Sequence, residues 1–127
     1  YLLVEKNLHT FVKLNPTLLG PSFLREILND KSNFKTNVPD IAFEHDLKYE
    51  DAVGMIKSLI EAAKNSGVFF GLKLTNTLEA LNHKDVFDKK ESMMYMSGRA
   101  LHPISINVAN KLQKEFNGSL DISFSNL

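Results

Sequence analysis

Between Tyr49 and Ser66, apolar side chains recur at Val53, Ile56, Leu59, Ile60 and Ala63, the i, i+3, i+4 spacing of a helix face, and Gly67 stands where a left-handed cap belongs. The stretch "VFFGLKLTNT" follows at once from Val68, nearly continuous in apolar residues up to Lys73, as in a strand covered on both faces. A helix that must pack on a sheet and feeds directly into such a strand leaves few folds. The strand lies parallel to an earlier one, and the helix is their right-handed crossover.

The rest of the chain repeats the alternation. Phe11 to Asn15 reads as a strand closed by Pro16, which cannot continue a ladder. Ser22 offers an N-cap with Glu26 in the first turn, and Phe23, Leu24, Ile27 and Leu28 form a helical stripe through about Asn29. "DKSNFKTNVPD" is a polar loop, and "DIAFEHD" reads as a short second strand. Another loop, "LNHKDVFDKKES", leads to "MMYMSGRALHP". Pro103 suits the first turn of a helix striped by Ile104, Val108, Ala109, Leu112 and Phe116 and ended by Asn117-Gly118, and "LDISFS" is a last strand. The expected fold class is α/β, with about four parallel strands and flanking helices, part of a (β/α) barrel.

Composition narrows the function. Fifteen Lys and Arg balance fifteen Asp and Glu in 127 residues, so no global field recruits nucleic acid or an anionic membrane. Without cysteine the chain offers no thiolate nucleophile and no ligand for an iron-sulfur cluster. No apolar run approaches the ~20 residues that span a bilayer, and a cytoplasmic location is the expectation. His9, His45, His83 and His102 show no metal-ligand spacing, so no metal site is expected.

Two short stretches carry chemistry. "FVKLNP" is echoed sixty residues later by "GLKLTNT", each placing a lysine in a strand. If Val12 and Leu14 pack beneath helices, Lys13 and Asn15 point to the other side of the sheet near the strand's carboxyl end, where barrel active sites lie. An ammonium there needs an anion or acceptor if it is buried, or else it snorkels over apolar surface into water. The second stretch, Ser97-Gly98 before a helix, supplies free backbone N–H groups to a phosphate, or simply forms a loop and cap. Arg99 can pair with such a phosphate or face solvent, and Met93, Met94 and Met96 suit core filling.

The order "FVKLNPTLLG", "KLTNT", "YMSGRALHPISINVANKL", "LDISFS" resembles the second half of the flavin-binding barrel of the dihydroorotate and dihydropyrimidine dehydrogenase superfamily. It is most similar to that superfamily's large iron-sulfur flavoproteins named for selenate reduction, a name these residues neither support nor refute. The resemblance implies that Lys13 contacts the ring of FMN, that Asn76 contacts substrate with Thr75 and Thr77 beside it, and that Ser97 and Gly98 hold the FMN phosphate. It implies a flavin-dependent oxidoreductase whose catalytic acid-base residue lies outside this chain, as do the iron-sulfur ligands. The paired glycines that complete the family's phosphate site are absent: positions 126 and 127 are Asn and Leu. Residues 1–127 are therefore expected to be the C-terminal half of an FMN-binding barrel domain within a longer chain. The expected partners are the remainder of that barrel, its electron-transfer modules and a second copy of the fragment. The competing expectation is a non-catalytic α/β domain that binds a protein partner or a small anion.

Overall fold

The computed structural model describes residues 1–125, so the expectation that rests on positions 126 and 127 lies outside the described residues. Three parallel strands form the main sheet: β1 (Thr10–Leu14), β2 (Phe70–Leu74) and β5 (Ile122–Phe124), in the order β1-β2-β5. β1 and β2 pair with Leu14 opposite Leu74 and Lys13 opposite Lys73, so the two echoed lysines are neighbours in register. Their alternation places Leu14, Leu72 and Leu74 on the covered face, each at most 4% exposed.

Helices cover that face. α3 (Tyr49–Ser66) spans the predicted range and sends Ala52 and Ile56 into the core, and α4 (His102–Glu115), with a proline in its first turn, contributes Ile104, Val108 and Leu112. Each large aliphatic side chain buried this way stabilises the fold by about 1.5–3 kcal/mol. α3 ends as expected at Gly67, whose φ of 67° and ψ of 27° are left-handed, with Val68 N–H returning to the Ala63 carbonyl. α1 (Pro21–Arg25) begins one residue before the expected Ser22 cap, because Gly20 and Pro21 occupy the cap and first turn. It widens into a π-turn over Glu26–Lys31 and buries Leu24, Ile27 and Leu28.

The structure corrects three expectations. "DIAFEHD" is not a strand: it forms the short helix α2 (Ile41–Glu44). Asp40 and Pro39 carbonyls accept from Phe43 and Ala42, and Arg25 both bonds Asp40 at 2.6 Å and lies over the Phe43 ring, so local turns and a cation claim this segment before any ladder can. The main sheet accordingly has three parallel strands among the described residues, not four. The expected loop "LNHKDVFDKKES" joins a second, antiparallel pair that the sequence did not announce: β3 (Leu78–Leu81) and β4 (Met93–Met96), with Leu78 opposite Met96 and Glu79 opposite Tyr95. The loop between them is closed by Asn82, buried to 8% exposure, which accepts from Val86 N–H at 2.8 Å and donates to the Glu91 carbonyl at 2.9 Å. Finally, β2 is covered by helices on one face only, and Lys73 on the other is exposed.

Candidate functional site

The polar residues converge where β1 and β2 end. Past the last ladder pair, Asn76 N–H donates to the Leu14 carbonyl at 2.8 Å, which draws the two strand exits together. Asn76 Nδ2 then donates to Asn15 Oδ1 at 2.6 Å. This amide pair forms one wall of an open cavity of about 620 Å³, whose other polar groups are Thr17, His45, Asp46, Thr77, Glu79 and Tyr95. Glu79 and Tyr95 come from the β3-β4 ribbon, where their cross-strand register puts both on one face. His45 and Asp46 come from the exit of α2, and the Thr17 hydroxyl donates to Asp46 Oδ2 at 2.5 Å, fixing that corner against the turn Pro16–Leu19 after β1. Location at the carboxyl ends of parallel strands is the position that barrel enzymes use.

The predicted residues fall in four places. Asn76 and Thr77 line this cavity. Thr75 does not: it is 1% exposed, and its hydroxyl lies 3.1 Å from that of Ser105 on α4, so it ties the sheet to the helix layer beneath the site. Lys13 stands beside Lys73 on the open face of the sheet, and neither has an ion-pair partner among the described residues. Ser97 is extended and Gly98 takes a φ of 68° at the start of the 3₁₀ turn Gly98–Leu101 that leads into α4. A Cβ at Gly98 would meet nothing within 4 Å, so the turn is open to an approaching group. The register of Leu78 with Met96 brings the start of this turn alongside Thr77.

Asn15 was legible by alternation with Lys13, whereas His45, Asp46, Glu79 and Tyr95 were not. The first two sit in the segment that reads as a strand, and the last two depend on a pairing between distant stretches. Asp46 and Glu79 make the cavity acidic, and its lining holds no lysine or arginine. The cations gather instead on the neighbouring sheet face at Lys13 and Lys73. Among the described residues no group of three or more His, Cys, Asp or Glu is placed to hold a metal ion. No helix among them is long and apolar enough to cross a membrane.

A parallel sheet layered with helices on one face, its polar groups gathered at the strand exits, places the molecule in the (β/α)-barrel class. The chain belongs to the family described as "Oxidoreductase YgfK, N-terminal TIM-barrel domain", whose sequence model matches residues 1–126. It is 50% identical over 125 residues to the protein named "Putative oxidoreductase YgfK" of Escherichia coli strain K12, and equally so to that of E. coli O157:H7. Each match covers 98% of this chain and 12% of the relative, so the chain spans about an eighth of the length of the curated relatives it matches. No solved structure matches it.

Proposed function

We propose that this domain forms part of a flavin-dependent oxidoreductase site in the full-length protein, as in the dihydroorotate and dihydropyrimidine dehydrogenase superfamily, with Lys13, Ser97 and Gly98 toward FMN and Asn76 and Thr77 toward substrate. The family name and the oxidoreductase names of the relatives support the reaction class. The observation that carries the flavin reading is the register of Lys13 with Lys73. Two ammonium groups side by side without a carboxylate repel each other, and that repulsion is relieved by an anion seated over the open face. The left-handed Gly98 turn leaves room for an anion's second contact.

FMN, when bound, supplies the electron and hydride chemistry. The ammonium of Lys13 stabilises negative charge on its face of the sheet. The Asn15 and Asn76 amides orient a substrate at the strand exits, and Thr75 holds the floor through Ser105. The remaining strands, the iron-sulfur and nicotinamide-linked modules and a cytoplasmic setting belong to the same proposal.

The test is spectroscopic. Purified full-length protein carries a flavin absorbance, and Lys13→Met lowers bound flavin or slows its reduction by roughly tenfold or more, the scale on which loss of one preorganised charge acts. A colourless wild-type protein that fails to take up FMN would refute the reading and leave the domain as a binding module.

A further inference from the structure

One row of side chains crosses the open face of the sheet. At the level of Lys13, β2 presents Lys73 and β5 presents Ser123, so two ammonium groups and a hydroxyl stand side by side on three parallel strands. Both lysines are exposed, and each lies one residue before the end of its strand. No acid joins the row, and Asp121, two residues before Ser123, forms no ion pair with Lys73 among the described residues. Alternation would return Thr75 to the same face, but its side chain is buried against Ser105 of α4. Lys73 is therefore the last side chain of this stretch on the open face before Asn76 at the exit. When a barrel closes, the face turned away from the helices becomes its interior, which bulky branched residues ordinarily fill. An ammonium in that position is strongly disfavoured without a negative partner. Two of them, adjacent, ask for more negative charge than a neutral flavin ring carries.

We propose that Lys73 is a charge-positioning residue for the flavin: beside Lys13 it makes the open face favour the reduced, anionic ring over the oxidised, neutral one, and so raises the reduction potential. The inference rests on the flavin reading, which assigns Lys13 to the ring and leaves Lys73 without a task. Its physical basis is the charge difference between the two states of the ring. Two electrons and one proton, the content of a hydride from a reduced nicotinamide, turn the neutral ring into a monoanion. The two ammonium groups repel each other until that negative charge arrives, so both gain when it does. One further cation near the charge, in a partly wetted site, favours the reduced state by roughly tenfold.

Dithionite titration of the full-length protein against a reference dye reads the potential, and FMN titration of the deflavinated protein reads affinity for the oxidised cofactor. Lys73→Met is expected to weaken the reduced form at least about tenfold more than the oxidised form, a drop of about 30 mV for a two-electron couple. Lys73→Gln, equally uncharged but polar, is expected to behave as the methionine variant does. Lys73→Arg keeps the charge and is expected to hold the potential near that of the wild type. A carboxylate from the remaining strands that already neutralises Lys73 would leave the potential unchanged in all three variants, and that result overturns the proposal. Equal weakening of both redox states also overturns it, because a residue that only supports the fold or the pocket acts that way. A flavin-loaded wild type whose potential ignores Lys73 defeats this inference alone. A wild type that takes up no FMN defeats the flavin reading, and this inference with it.

Discussion

Gly71 shows how one residue lets two strands share a face. A Cβ there would lie 2.6 Å from Phe11 Cε1 and 3.1 Å from the Asp121 carbonyl oxygen. The Phe11 ring thus lies across the backbone of β2, where it also meets Phe69 at 5.3 Å between ring centres. The ring can swing aside, being half exposed, but the Asp121 carbonyl belongs to the backbone entering β5 and cannot. Gly71→Ala is expected to destabilise the domain by about 1–3 kcal/mol, the range for overpacking. Denaturant unfolding measures it, and adding Phe11→Ala should recover only part of the loss. Full recovery would show that the ring alone sets the constraint. Lys13 and Lys73, two positions further along the same face, were legible as an echo in the sequence, but nothing in the sequence alone states that they are register neighbours.

Among the elements, α3 and α4 are joined at one end by Tyr49. Its hydroxyl donates to the Lys111 carbonyl at 3.2 Å, and the Lys111 ammonium lies 3.7 Å from the ring centre. Burial raises the Tyr49 pKa above 10.0, and the carboxylates of Glu115 and Glu50 add to the rise. The folded state therefore holds this proton more tightly than the unfolded chain does. Its contribution to stability is complete below the unfolded value near 10 and is lost as pH climbs through the higher folded value. Thermal melts between pH 9 and 11 are expected to fall more steeply for the wild type than for Tyr49→Phe, and parallel slopes would contradict the assignment. The long helices α3 and α4 were readable because a stripe of five apolar residues and a cap or proline state the same boundaries independently. α2 was misread because seven residues with three adjacent apolar positions carry no decisive period, and contacts from Arg25 decided the matter.

At the scale of the whole molecule, β1 and β5 each pair only with β2 among the described residues, so the sheet has two unpaired edges. Its open face carries exposed Phe11 and Phe69 beside the two lysines. Such edges and aromatics invite another chain, while the lysines oppose a symmetric stack. This 127-residue chain is expected to self-associate at high micromolar concentration, more strongly in salt that screens the lysines, as read by light scattering. A monomer at every concentration and salt would overturn that. By itself the sequence determined the parallel α/β plan, the ends of α3 and the face on which the lysines stand, because periodicity, caps and alternation are local. Only the tertiary structure decided that "DIAFEHD" is helical, that Leu78–Leu81 pairs with Met93–Met96, and that Asp46, Glu79 and Tyr95 enclose one cavity with Asn15 and Asn76. Those outcomes depend on contacts between residues far apart in sequence, whose free energy appears only once the hydrophobic core has brought the segments together.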